Sequence, residues 1–293
     1  MSGEGPSILF SYTIKSVIVF IDAMREQATI VSTSNPHVKE ALVIKEKRSR
    51  YRHHAFLVEG PHLVDMAIGS GAVIKKVFFT EDYLSQRGGV HRLRNVRDRG
   101  ALLFRISRQI LSTLADTETP QGIIALVSYH PSALDMIPEK DIPLLVVIDR
   151  IQDPGNLGTV IRTSDAAGAD ALIILPGTCD AYMPKVIRAT AGSIFNIPLV
   201  YTDAASLTAH LRGKAIKLLV TDAHASESIY DADLSRPLAL VFGNETEGAS
   251  KKMKEQADAL IKIPIFGRAE SLNVALSAAI FLFEAVRQRK GRS

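Results

Sequence analysis

The stretch LLVVIDRIQDPGNLGTVIRTSDAAGADALIILP, residues 144–176, reads as a strand, a loop, a helix and a second strand. Leu144–Asp149 and the segment 171–176 are dominated by consecutive apolar residues, the pattern of strands covered on both faces of a parallel sheet. Between them a turn built of Pro154, Gly155, Asn156 and Gly158 opens a helix from about Asn156 to Ala167. Taken alone, this turn needs no function, because Asn156 can cap the helix and the glycines can shape the turn. Two parallel strands joined by a helix nevertheless commit residues 144–293 to an α/β fold. The later segments continue the alternation. Strands are expected at 197–201, 217–223, 238–245 and 259–265, and helices near 184–193, 203–213, 248–257 and 272–290.

Upstream, Asn35-Pro36 predicts a helix start, and residues 55–127 alternate strand and helix signals again, which predicts a small α/β domain with a largely parallel sheet. Residues 129–143 hold three prolines and several acids and read as a linker. The expected organisation is an extension at 1–34, a domain at 35–130, a linker at 131–143 and a second domain at 144–293. Ile8–Ile21 is apolar but only 14 residues long and interrupted by Lys15, too short to span a bilayer. Either Met24 is the native start or residues 1–23 form a tail outside the fold. The lone Cys179 among 293 residues excludes an internal disulfide and a multi-cysteine zinc site, and suits a reducing, cytoplasmic setting.

Charge is unevenly placed. Residues 35–130 carry 15 basic and 9 acidic side chains and six of the eight histidines, whereas residues 131–293 carry 18 and 19. A basic front domain suits a polyanion such as RNA. Lys45, Lys47, Arg48, Arg50 and Arg52 form the densest run, with Tyr51 inside it, and Arg92–Arg99 forms an arginine-rich loop in this reading.

In open α/β sheets ligands bind beyond the carboxyl ends of the strands, where three loops stand out. The first is Asp149–Gly158. The second, Gly243-Asn244-Glu245-Thr246-Glu247-Gly248-Ala249-Ser250, has the spacing of a phosphate loop. Ala249 replaces the required lysine, and two carboxylates occupy the anion position, which disfavours a nucleotidase. The third is Phe266–Asn273. Its Ser271 and Asn273 can converge on one ligand only in the non-helical lead-in to the last helix, where Ser271 could equally act as a simple cap.

Together, DPGNLGTVIRTSDAAGA (153–169), LVFGNETEG (240–248) and IPIFGRAESLNVALSAAIFLFEAVRQR (263–289) resemble the three motifs of the SpoU/TrmH family of RNA ribose 2′-O-methyltransferases. HHAFLVEGPHLVDMAI (53–68) and TPQGIIALV (119–127) resemble that family's RNA-substrate-binding domain, an α/β unit similar to ribosomal L30e. The resemblance implies a trefoil-knotted, S-adenosylmethionine-dependent domain in 144–293, acting as a homodimer. It implies Gly243, Ile263 and Leu272 at the cofactor, and Asn156, Arg162, Glu247, Ser271 and Asn273 as the catalytic set, with Asn156 and Glu247 orienting Arg162 and the ribose. Methyl transfer to a ribose hydroxyl is above all a positioning problem. Arginine is a poor base because a guanidinium holds its proton, so phosphate positioning and charge stabilisation suit Arg162 better. No metal is required. The expected substrate is ribosomal RNA. The alternatives are transfer RNA and a silent RNA-binding or ribosome-assembly scaffold.

Overall fold

A computed structural model describes residues 7–291, with side chains from Val17 onward. The chain divides into two compact units, up to Tyr129 and from His130.

The first unit contains α1 (Ser7–Glu26), α2 (Pro36–Ile44), α3 (Lys47–His53), β1 (Ala55–Glu59), α4 (Pro61–Gly69) and β2 (Ile74–Phe79), then α5 (Gly89–Asp98), β3 (Leu102–Arg105), α6 (Arg108–Leu114) and β4 (Ile123–Ser128). Helix α2 starts where Asn35-Pro36 predicts: Pro36 needs no N–H partner, and the Asn35 side chain accepts from His37 N. The four strands lie in the order β1-β4-β2-β3. Only β2 and β3 run parallel; β4 is antiparallel to both its neighbours. The expectation of a largely parallel sheet is therefore corrected. An apolar run such as Ile123–Val127, buried on both faces, carries no mark of its direction. Val38, Ala41, Ile110, Leu111 and Leu114 of α2 and α6 pack with Phe78 and Ile124 on one side of the sheet.

Two other expectations change here. The arginine-rich stretch is helix α5 and not a loop; Gly89, Leu93 and Val96, at i, i+4 and i+7, turn inward. The extension, for whose residues 1–23 a tail outside the fold is one expectation, joins it from Phe20 onward. Phe20 is buried with the Arg97 guanidinium 4.5 Å from its ring centre, Gln27 donates to Leu103 O, and Ile30 bridges Ile106 beyond β3. The part of that expectation concerning residues 1–6 lies outside the described residues. No helix among the described residues is long and apolar enough to cross a membrane.

The second unit contains β5 (Leu144–Ile148), α7 (Pro154–Ala166), β6 (Ala171–Ile174), α8 (Pro184–Thr190), β7 (Leu199–Tyr201) and α9 (Ala204–Gly213). It continues with β8 (Lys217–Thr221), β9 (Glu227–Ser228), β10 (Leu238–Phe242), α10 (Lys251–Gln256), β11 (Ala259–Lys262) and α11 (Val274–Lys290). All seven strands are parallel, in the order β7-β6-β5-β10-β8-β11-β9. One side chain in two, such as Leu145, Val147, Val220 and Val241, packs under Leu207 and Leu211 of α9 and Met253 of α10. The other face is covered by α7, α8 and α11, with Phe242 meeting Phe281 edge to face at 5.9 Å. Residues 130–143 belong to this unit and do not hang as a free linker: Ser132 bridges Val200, and Leu134 and Ile137 pack on the same core.

Candidate active site

The carboxyl ends of β5, β10, β8 and β11 stand side by side, because those four strands are neighbours in the sheet. Each feeds one loop into a common edge: 149–153 after β5, 222–226 after β8, 243–250 after β10 and 263–273 after β11. Two late strands thus bring their loops beside the loop that follows the first strand of the unit, although about 90 to 120 residues separate them in sequence.

Helix α7 is capped by Asp153, whose side chain accepts from Asn156 N at 2.8 Å. Asn156 therefore does not cap the helix; it sits in the first turn with its amide free for other partners. Helix α11 is capped by Asn273, whose Oδ1 accepts from Ala275 N and Leu276 N. The cap that Ser271 could have supplied thus comes two residues later, and Ser271 is exposed in the non-helical lead-in.

These caps fix the direction of a hydrogen-bond chain across the three loops. The helix N–H groups claim the oxygen of Asn273, so its amide nitrogen faces outward and donates to Asn156 Oδ1 at 2.9 Å. With its oxygen taken, Asn156 turns its own NH2 to Glu245 Oε1, also at 2.9 Å. The network itself settles which amide end is which.

Glu245 is the residue that sequence reasoning missed. Glu247, expected with Asn156 to orient Arg162 and the ribose, turns away to pair with Arg150 at 2.7 Å. Both acids stand in the same glycine-bounded loop, and spacing alone does not say which one points toward α7. Asn244 is folded back on Gly248 by two backbone hydrogen bonds of 2.9 Å, and its side chain accepts from Thr246 N and Glu247 N. Gly243 is required by this tight loop, since a Cβ there would collide with the backbone of Gly248 and Ala249. On the far side Asp149, buried at the end of β5, accepts from Ser250 N at 2.5 Å.

Arg162 lies on α7 beyond Asn156, exposed and without a hydrogen bond or ion pair among the described residues. Ile263 is half-buried and Leu272 is exposed. Between them the chain at 264–272 makes no backbone hydrogen bond among the described residues, leaving peptide donors and acceptors available at the strand ends. Asp222 closes the β8 end. Burial acts to raise its carboxyl, but hydrogen bonds from Lys254 and His224 N outweigh that and hold it below the usual carboxylate range. Burial, reinforced by the charges of Asp180, Asp153 and Glu245, pushes the Cys179 thiol up to about 11, which leaves it no nucleophile at neutral pH. Among the described residues no group of three or more His, Cys, Asp or Glu is placed to hold a metal.

In the first unit, Lys47, Arg48 and Arg52 are exposed on α3. Arg50 is not: it is buried and donates to Ile44 O at 3.2 Å and to Lys45 O, and Lys45 donates to Thr113 O and Ala115 O. Those two side chains close the fold at the ends of α2 and α6. Arginines of α5 and its C-cap are engaged too, Arg92 with Asp65 and Tyr83, Arg97 with Asp98, and the cap residue Arg99 with Asn95.

Residues 143–283 match the family model of the SpoU rRNA methylases, and residues 35–125 match that of the MRM3-like substrate binding domain. A 23S rRNA (guanosine(2553)-2′-O)-methyltransferase of Bacillus subtilis, RlmP, is 34% identical over 254 residues, spanning 87% of this chain and 97% of the relative. A 23S rRNA guanosine-2′-O-methyltransferase of Haemophilus influenzae, RlmB, is 40% identical over 194 residues, 64% of this chain and 78% of that one. Among solved structures, the AdoMet-bound rRNA methyltransferase of Sinorhizobium meliloti superposes with a TM-score of 0.80 at 32% identity, covering 89% of this chain and 97% of that one. AviRb of Streptomyces viridochromogenes, a SpoU methyltransferase, superposes at 0.78 with 29% identity over 88% and 99%. With loops from distant parts of the sequence meeting at one sheet edge, and with RlmP matched along 97% of its length, the chain belongs to the SpoU rRNA methylase family.

Proposed function

We propose that the protein transfers a methyl group from S-adenosylmethionine to a ribose 2′-hydroxyl of structured ribosomal RNA. The observation that carries this reading is the Asn273–Asn156–Glu245 chain, which ties the three motif loops into one polar surface at the strand ends. The residues present suit the cofactor. Unpaired peptide groups at 264–272 would take its polar ends, Gly243 keeps the loop wall thin, and Ile263 and Leu272 supply apolar contact. The bound cofactor supplies an electrophilic methyl carbon on a sulfonium.

The protein's part is to present the sugar oxygen in line with that carbon. Asn156, held at both ends, is pre-organised to orient the ribose. Arg162, unpaired among the described residues, is free to grip the neighbouring phosphate and stabilise charge growing on the oxygen. Ser271 stands on the same lead-in as Asn273 and would shape the contact between cofactor and sugar. Glu245 takes the orienting role first assigned to Glu247.

RNA affinity is assigned to Lys47, Arg48 and Arg52 of α3, exposed charges able to meet phosphates. The second unit is read as a trefoil knot, supported by the place of the late strand β10 between β5 and β8. A homodimer through α11 is supported by Leu276 and Phe283, both more than half exposed on one side of that helix, and by Phe266 nearby in sequence at 93% exposure. The setting is the cytoplasm, where ribosomal RNA is met.

Incubation with labelled S-adenosylmethionine and 23S rRNA, followed by mapping of 2′-O-methyl groups, tests the reading. The expected result is a single methylated ribose, with R162A losing about a hundredfold in rate while holding the cofactor as wild type does. Cofactor binding with no transfer to any RNA would leave the scaffold alternative in possession; methylation of transfer RNA alone would move the substrate.

A further inference from the structure

The pairing of Arg150 with Glu247 has no part in the chemistry above, and its geometry is costly to maintain. Arg150 directly follows Asp149 at the end of β5, with φ at +65°, a left-handed conformation uncommon for residues other than Gly, Asn and Asp. Its Nε is buried without a hydrogen-bond partner among the described residues, 3.6 Å from Asp149 Oδ1. In return it gains an ion pair with Glu247, whose side chain is 67% exposed. Exposed pairs of this kind add little to stability. Stability therefore does not account for the arrangement.

Position does. The Arg150 carbonyl accepts from Asn244 Nδ2 at 3.1 Å, and its guanidinium reaches Glu247 Oε2 at 2.7 Å and Gly248 O at 3.5 Å. One residue thus holds the loop after β10 on both sides of Glu245. Arg150 is itself held from behind. Its N–H donates to Thr178 Oγ1 at 3.1 Å, and its stem crosses Gly177, where an added Cβ would stand 3.0 Å from Arg150 Cγ. Glu245, between the two anchor points, is the carboxylate that receives the Asn156 amide.

Resting on the proposed function, we propose that Arg150 and Glu247 are positioning residues for methyl transfer. They latch loop 243–248 so that Glu245 holds Asn156 in its working orientation, without touching RNA or cofactor. The latch couples the β5 end to the β10 end through an ion pair, which makes turnover and not binding the quantity it controls.

The test compares R150N, E247A and the double variant with wild type. Asparagine tolerates the left-handed backbone and keeps both main-chain contacts of residue 150, so R150N removes the guanidinium and its stem without disturbing the backbone. Expected are losses of about tenfold or more in kcat for each single variant, with the S-adenosylmethionine Kd and the KM for RNA within about threefold. R150N is expected to melt no lower than wild type. The double variant is expected to be no slower than the worse single one, because both remove the same interaction. R150K, which keeps the charge on a shorter reach, is expected to recover part of the rate. Unchanged kcat in R150N, multiplicative losses in the double variant, or losses confined to cofactor Kd would overturn the latch. If wild type itself methylates no RNA, the proposed function fails and the latch is read independently from hydrogen exchange at Asn244 and Gly248. There R150N is expected to speed exchange about tenfold, and unaltered exchange overturns the latch.

Discussion

Arg50 and its neighbours on α3 show how far a run of like charges can mislead. Lys47, Arg48 and Arg52 face solvent, but Arg50 turns inward to close the carbonyls of Ile44 and Lys45. R50A is therefore expected to cost about 1–3 kcal/mol of stability by orphaning those groups, with RNA affinity of the folded protein unchanged. Replacing Lys47, Arg48 and Arg52 together by alanine is expected to do the reverse. The melting temperature holds, and the slope of log affinity against log salt falls by about 2–3 for three lost phosphate contacts. Filter binding across a salt series, run beside thermal melts, checks both. Asn273 permits a sharper separation. Aspartate caps a helix as well as asparagine does, so N273D is expected to melt within about 0.5 kcal/mol of wild type. It has no N–H to give Asn156, however, and would leave that amide between two carboxylates. A loss of about tenfold or more in turnover is expected, read by single-turnover methyl transfer; unimpaired turnover would refute the orienting role of Asn156.

At the scale of elements, the close contact of α7 with α8 depends on Gly158. A Cβ there would collide with that of Ala189 and lie 2.7 Å from Val186 O. The obstacle is backbone and cannot swing aside. G158A is expected to destabilise the second unit by about 1–3 kcal/mol, visible in a urea melt as a lower midpoint with unchanged slope. Gly158 read in the sequence as a turn residue, whereas its use is helix packing. The same contrast explains what was legible throughout. Six of the seven strands of the second unit were plain, since runs such as Leu238–Phe242 are buried on both faces and apolar for that reason, whereas the two-residue β9, Glu227–Ser228, carries no such run. The direction of β4, the helical state of 89–98 and the docking of Phe20 were not, because each is decided by partners far along the chain. Asn156 and Asn273 were recognisable by motif and do meet. The choice between Glu245 and Glu247 depended on Arg150, whose left-handed backbone no pattern of residue types announces.

For the whole molecule, the arrangement of residues 130–143 matters most. Ser132 bridges Val200, Leu134 and Ile137 cover the core, Lys140 pairs with Asp170, and Arg289 from the end of α11 donates to the carbonyls of Ile142 and Pro143. A fragment spanning 130–293 is therefore expected to melt in one cooperative transition. A fragment that starts at 144 loses this cover and is expected to melt several degrees lower, and equal melting temperatures would show the cover to be idle. The division between the two units thus falls after Tyr129 and not at residue 144. In a chimaera that replaces the front unit, residues 130–143 must therefore travel with the second unit, and a splice at 144 is expected to leave that unit missing part of its own cover.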